Sequence, residues 1–266
     1  MKKHILDLTV KSVERPHERY VLLKLTDEHA PLPPMVPGQF AQIRVDGSPT
    51  TFLRRPISIH FVDREANEIW FLVQLVGDGT RQLGRLQPGD VLNVVLPLGN
   101  GFTLPSQPAS EVAEPERILL VGGGVGAAPL LYAGLWLSQL GYRPTFLIGA
   151  RSKGDLLQLP LFEQFGDVYV TTEDGSYGEQ GFVTQHSLLQ KEQFTRIATC
   201  GPKPMMVSVA RYARQVGTPC EVSLENKMAC GVGACLCCVE DTAEHGHVCV
   251  CTEGPVFKIE DLKWQI

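Results

Sequence analysis

The chain has 266 residues, 44% hydrophobic and 20% charged, with a formal net charge of −5. These are the values of a folded chain long enough for two domains and an appendage. They provide no basic surface for nucleic acid. The opening MKKHILDLTVKSVE alternates apolar and polar residues and meets charges at Asp7 and Lys11, so it has no unbroken apolar signal-peptide core. A cytoplasmic, reducing location is therefore expected, and there clustered cysteines favour metal over disulfides.

Short alternating runs at 20–25, 39–45, 56–62, 68–76 and 90–96 are separated by turn residues, including Pro37-Gly38 and Pro88-Gly89. This spacing predicts an antiparallel barrel or sandwich over about 1–101. Within it, Arg55 and Ser58 put a guanidinium and a hydroxyl on one local surface at the head of a strand, a pair suited to a phosphate. Gly77-Asp78-Gly79-Thr80 follows a strand and precedes a helical stretch at 81–86, with Thr80 as its expected N-cap. Its glycines allow backbone N–H groups to approach an anion. Pro97-Leu98-Gly99-Asn100-Gly101-Phe102 makes a stiff corner, and the proline- and acid-containing stretch 106–116 reads as a linker.

Strands and helices alternate from 117 onwards: strands at 117–121, 145–149, 167–171 and 196–200, helices at 127–140, 155–165, 185–190 and 202–216. The alternation predicts a doubly wound parallel sheet over 102–219. The uncharged stretch 118–142 is too broken by Gly122, Gly123, Gly124, Gly126 and Pro129 to span a membrane as one helix. Gly122, Gly124 and Gly126 sit instead at the first strand-to-helix turn, where a dinucleotide pyrophosphate meets a helix start. Ala150-Arg151-Ser152 stands where an acidic ribose ligand is expected, so the residues leave NAD and NADP both open. Cys200-Gly201-Pro202 ends the fourth strand, a position from which Cys200 can face a nicotinamide ring.

Residues 220–266 form the expected third part. Six of the eight cysteines fall within 230–251. Cys230-x4-Cys235-x2-Cys238, with Cys251 thirteen residues further on, is the spacing of plant-type 2Fe–2S ligation. Cys237 and Cys249 are further thiols of the same stretch. Structural zinc on Cys235, Cys238, Cys249 and Cys251 is the alternative, and its gaps fit zinc poorly.

Taken in order, Arg54-Arg55-Pro56-Ile57-Ser58, Gly79-Thr80, Pro97-Leu98-Gly99-Asn100-Gly101, the glycine run, Cys200-Gly201-Pro202, the Glu225-Asn226-Lys227-Met228-Ala229-Cys230 segment and Gly254-Pro255-Val256-Phe257 are specific. By these residues the chain resembles the ferredoxin–NADP reductase superfamily with an added C-terminal cluster domain. More narrowly it is similar to the electron-transfer subunits of bacterial dihydroorotate dehydrogenase B.

The resemblance implies FAD held by the barrel through Arg55, Pro56, Ile57, Ser58, Leu72, Val73, Gln74, Gly79 and Thr80. Ile57 stands where the broad superfamily usually has an aromatic residue. The resemblance also implies NAD as the nucleotide, bound around Gly122, Gly124, Gly126, Cys200 and Gly201. Among the cysteines it selects Cys230, Cys235, Cys238 and Cys251 as ligands, since Cys251 stands just ahead of Gly254-Pro255-Val256-Phe257; Cys249 is the competing choice. Nicotinamides exchange hydrides and 2Fe–2S clusters single electrons, so a flavin belongs between them. The chain shows no base motif or substrate domain of its own. The implied partner is an FMN-containing dihydroorotate dehydrogenase catalytic subunit, two of each in a heterotetramer, with electrons running through 2Fe–2S and FAD to NAD in pyrimidine biosynthesis. The rival is an NAD(P)H-dependent reductase feeding an oxygenase, hydrogenase or other acceptor.

Overall fold

A computed structural model describes residues 2–266. The N-terminal part is one seven-stranded antiparallel sheet in the order β4-β3-β7-β1-β2-β6-β5. Its strands are β1 (His4–His17), β2 (Tyr20–Thr26), β3 (Phe40–Ile43), β4 (Arg55–Ser58), β5 (Phe61–Asp63), β6 (Glu68–Gln74) and β7 (Val91–Leu98). The expected single strand at 56–62 is two strands, because the chain there crosses from one sheet edge to the other. Ile59 N–H donates to the Gln39 carbonyl at 3.0 Å, and the next residue, His60, donates to the Trp70 carbonyl at 3.0 Å. Two consecutive residues thus bond opposite edges and curl the sheet into a barrel. Alternation along each strand sends Val21, Leu23, Ala41, Ile43, Phe71 and Val73 into the barrel core.

A six-residue helix, α1 (Asp78–Leu83), follows β6. Gly77 is its N-cap, and Thr80 lies inside the first turn. The Thr80 hydroxyl reaches back to accept the Val76 and Gly77 N–H groups at 3.0 and 3.1 Å. It satisfies donors of the entering chain from within the helix, so the cap falls three residues earlier than expected.

The second sheet has the order β11-β10-β9-β8-β12-β13-β16. It comprises β8 (Ile118–Gly123), β9 (Thr145–Ala150), β10 (Asp167–Thr172), β11 (Glu179–Gln180), β12 (Arg196–Cys200), β13 (Cys220–Ser223) and β16 (Val256–Lys258), all pairs parallel except β13 with β16. Between β8 and β9 lies α2 (Ala128–Gln139), which has buried residues on all sides: Ala128, Leu131, Tyr132 and Leu137 among them. It is wedged between barrel and sheet, which is why the 118–142 stretch carries no charge. No helix among the described residues is long and apolar enough to cross a membrane.

The helix expected at 155–165 is only α3 (Leu159–Phe162), preceded by a 3-10 turn at Lys153–Asp155. Asp155 there is committed to an ion pair with Arg19 of the barrel, a tertiary contact that outweighs local helix propensity. The helix expected at 185–190 is likewise short, α4 (Leu188–Lys191), after a 3-10 turn at Val183–Gln185. The last helix of the sheet, α5 (Lys203–Val216), ends on left-handed Gly217 (φ 71°).

The parallel sheet continues past residue 219 into β13, and β16 adds its edge. The cysteine segment is therefore an insertion between two strands of one sheet. It contains the hairpin β14 (Val239–Thr242) and β15 (Gly246–Cys249) and the single turn α6 (Val250–Glu253). Cys238, Val250 and Cys251 share one buried cluster with Val222 and Phe257 of the sheet and with Phe40 and Leu98 of the barrel.

Candidate redox site

Three candidate sites adjoin one another around the barrel. The first lies at the seam between β4 and β6. β5 pairs with β6 only as far as Trp70, so Leu72, Val73 and Gln74 carry ladder partners on the β2 side alone. Leu72 and Val73 are 6% and 0% exposed and pack in apolar clusters, so of the three only Gln74 is partly open. Arg55, Pro56, Ile57 and Ser58 are half-buried along β4. Arg55 runs over Gly79, where a Cβ would meet Arg55 Nε at 3.1 Å and Thr51 Cγ2 at 3.0 Å. Arg55 Nε is itself buried without a hydrogen-bond partner. A charged donor in that position is suited to an anionic acceptor, and it lies against Gly79 at the start of α1. This donor set fits the diphosphate of FAD.

The second site is a cleft of about 540 Å³ between barrel and parallel sheet. Tyr20 and Gln74 line its barrel side and Gly123, Gly124, Arg151, Glu173, Pro202 and Glu225 its sheet side. Gln74 Nε2 donates to the Tyr20 hydroxyl at 3.2 Å. The floor is made by two loops at the carboxyl ends of β8 and β12, in contact through their backbones. A Cβ on Gly126 would sit 2.4 Å from Gly201 Cα, so any larger residue would force the loops apart. Of the expected nucleotide residues Gly124 lines the cleft, while Gly122, Gly126, Cys200 and Gly201 stand behind its wall. Cys200 is 1% exposed, and burial pushes its thiol well above the ordinary value. Its Sγ lies 4.0 Å from Glu225 Oε1. Desolvation by the cleft walls also raises the Glu225 carboxyl, although the residue keeps an open face to solvent. Glu225 heads a segment that carries the family resemblance, but nothing in the sequence assigns it to a nucleotide site, and Glu173 is not singled out there. Glu173 follows β10, one strand over from the place where an acid is expected, and only the parallel register Thr172↔Ala150 brings it beside Arg151.

The third site is the cysteine segment. Val232 N–H donates to Cys230 Sγ at 3.4 Å, Gly233 N–H to Cys251 Sγ at 3.2 Å, and Cys251 N–H to Cys238 Sγ at 3.4 Å. N–H groups aimed at sulfur favour thiolate; the Val232 N–H chiefly, helped by Cys235, holds Cys230 down to about 6. Burial raises both Cys249 and Cys251, the latter to about 12 even with its N–H bond; they differ in that the Cys249 Sγ–H donates to the Gly233 carbonyl at 3.7 Å. A thiolate there would face a carbonyl oxygen. Cys235 and Cys237 are exposed on the same loop. Among the described residues no three His, Cys, Asp or Glu side chains converge on a single-ion position. A 2Fe–2S cluster divides its four cysteines between two irons and needs no such convergence.

The model of the iron–sulfur cluster binding domain of dihydroorotate dehydrogenase B matches residues 225–263. The dihydroorotate dehydrogenase B (NAD(+)) electron transfer subunit of Shouchella clausii is 40% identical over 230 residues, 85% of this chain and 86% of that protein. The protein of the same name from Desulforamulus reducens is 40% identical over 238 residues, covering 86% and 87%. Among solved structures, an NADH-dependent reduced ferredoxin-NADP oxidoreductase superposes with a TM-score of 0.81 at 29% identity, over 97% of this chain and 90% of the other. The cytochrome b5 reductase domain of Ulva prolifera nitrate reductase shares the fold, with a TM-score of 0.66 at 17% identity, over 80% and 93%.

Proposed function

Since the chain belongs to the family of dihydroorotate dehydrogenase B electron transfer subunits, we propose that it conducts electrons from a dihydroorotate-oxidising partner to NAD+ through a 2Fe–2S cluster and FAD. The observation that carries this reading is the position of the barrel. One side of it, at Tyr20 and Gln74, faces the nucleotide cleft, and another, at Phe40 and Leu98, packs on the cysteine segment. When bound, FAD exchanges electrons singly with an iron–sulfur cluster and as hydride with a nicotinamide.

Each residue's part follows from its surroundings. Arg55 supplies the fixed charge for the FAD diphosphate, beside the Gly79 and Thr80 backbone. Pro56, Ile57 and Ser58 would hold the isoalloxazine, with Gln74 of β6 beside them, while Leu72 and Val73 back that strand from within apolar clusters. In the glycine turn the Gly124 backbone would face the NAD diphosphate, Gly122 and Gly126 allow the close packing behind it, and Cys200-Gly201 closes the floor under the nicotinamide. Burial keeps the Cys200 thiol neutral at that end of the cleft, beside Glu225, whose carboxyl desolvation raises above its ordinary value. The Glu173 carboxylate is suited to accept hydrogen bonds from a ribose diol and to repel a 2′-phosphate, which favours NAD over NADP. Cys230, Cys235, Cys238 and Cys251 hold the two irons.

The partner is an FMN-containing catalytic subunit, met at the cluster side in a two-plus-two complex. The test is reconstitution: the chain loaded with FAD and cluster is mixed with such a subunit, and dihydroorotate-dependent NADH formation is followed. NADH formation that requires both proteins supports the reading. Failure with every such subunit, together with NADH-driven reduction of a ferredoxin or an oxygenase, would replace it with the reverse reductase.

A further inference from the structure

Gln42 is 0% exposed, and neither its Oε1 nor its Nε2 has a hydrogen-bond partner. An unpaired buried carboxamide is costly, so a side chain of this kind in an apolar wall needs a reason. Its position supplies one. On one side it is paired across β3 and β4 with Pro56, in the strand assigned to the flavin. On the other side it lies under Gly231, the residue after the cysteine Cys230. Gly231 has φ 71°, and a Cβ there would stand 2.6 Å from Gln42 Cγ and 3.1 Å from Gln42 Nε2. The loop thus rests directly on the carboxamide. Leu98 Cδ1 also stands 3.1 Å from that Cβ position, and Leu98 shares an apolar cluster with Cys238 and Cys251.

We propose that Gln42 Nε2–H donates a hydrogen bond to the sulfurs of the cluster held at Cys230, making Gln42 a tuning residue on the wall between cluster and flavin. This rests on the reading of Cys230, Cys235, Cys238 and Cys251 as 2Fe–2S ligands. A donor to cluster sulfur stabilises the more negative, reduced cluster and so raises its potential. Replacing Gln42 by an apolar side chain of similar length then favours the flavin over the cluster in their electron exchange.

The experiment uses holoprotein carrying FAD and cluster. The cluster and flavin potentials of the parent and of Gln42→Met are measured by titration followed by electron paramagnetic resonance and visible absorption. The expected shift is about tenfold in the cluster–flavin exchange equilibrium, which for a one-electron couple is 59 mV lower for the cluster, with the flavin unchanged. Pulsed resonance on the parent protein labelled with 15N-glutamine side-chain nitrogen should show a nitrogen coupled to the reduced cluster; this needs no variant to fold. An unchanged cluster potential, a shift in the flavin alone, or an equal shift in both overturns the proposal, as does a missing nitrogen coupling. A parent protein with no 2Fe–2S signal at all would overturn the ligand assignment instead.

Discussion

Arg55 shows how much a single buried donor decides. Its Nε has no partner among the described protein atoms and faces the small cradle above Gly79. Hydrogen bonds from charged groups contribute about 1.5–3 kcal/mol, so Arg55→Ala should weaken FAD binding roughly 10- to 100-fold, measured by titration of flavin fluorescence. Arg55→Lys should recover little of it, since an ammonium lacks the planar fork. The cysteines give a second prediction at this scale. Cys251 receives an N–H at its sulfur, whereas Cys249 gives its proton to a carbonyl. Cys251→Ser should lose the cluster, by iron content and resonance signal, while Cys249→Ser should keep it. Loss in the second variant and retention in the first would reverse the assignment. Spacing within 230–251 admits either cysteine, because loop hydrogen bonding is not written in spacing. Glu173, the acid proposed for the ribose, is equally hidden, since strand register and not sequence distance sets it beside Arg151.

At the scale of elements, the junction of barrel and sheet turns on α2 and on His60 at the bend between β4 and β5. His60 is fully buried; its Nδ1 lies 2.8 Å from the Ala128 carbonyl oxygen at the start of α2, and its Nε2 lies 2.9 Å from Gln158 Oε1. Tyr132 of α2 adds a hydroxyl donated to the Met35 carbonyl at 2.9 Å. Burial, only partly offset by these bonds, lowers the His60 pKa to about 4. The unfolded chain has the ordinary value of about 6.5 and therefore binds a proton first. The stabilisation is complete above about pH 6.5 and is lost as pH falls toward 4, by about 3 kcal/mol in all. Thermal unfolding should follow that slope, and His60→Gln should flatten it between those limits; an equal slope in the variant would assign the effect to other groups. Alternation and glycine placement make the barrel and the parallel sheet legible. The lengths of α3 and α4 are not, because tertiary contacts such as Arg19 with Asp155 decide where those turns stop.

Across the whole molecule, the cysteine segment is clamped at both ends. It leaves the sheet after β13 and returns to it at β16, and Asn100 of the barrel corner holds the return. Asn100 N–H donates to the Gly254 carbonyl at 2.6 Å, and its Nδ2 donates to the Thr252 and Glu253 carbonyls at 3.3 and 2.8 Å. Leu224 N–H closes the other side on the Pro255 carbonyl at 2.9 Å. Removing the two Asn100 side-chain bonds should cost about 1–2 kcal/mol locally. Asn100→Ala should then speed amide hydrogen exchange at 249–255 and loosen iron retention, leaving exchange in the barrel strands as it was. Faster exchange throughout the barrel would show that the clamp supports the whole fold.

By itself the sequence determined what was periodic or compact in the chain: a barrel from alternation of period two, a parallel sheet from alternating elements, a glycine turn, and a set of six cysteines. Each of these depends on neighbours a few residues apart. Tertiary structure alone decided what depends on distant segments meeting. It laid Gly231 on the Gln42 carboxamide, set Glu173 beside Arg151, turned the Gly233 N–H toward Cys251 rather than Cys249, and ran the sheet through β13 so that the cysteine segment became an insertion between its strands. Packing and backbone hydrogen bonding select among arrangements that the residue order leaves equally open.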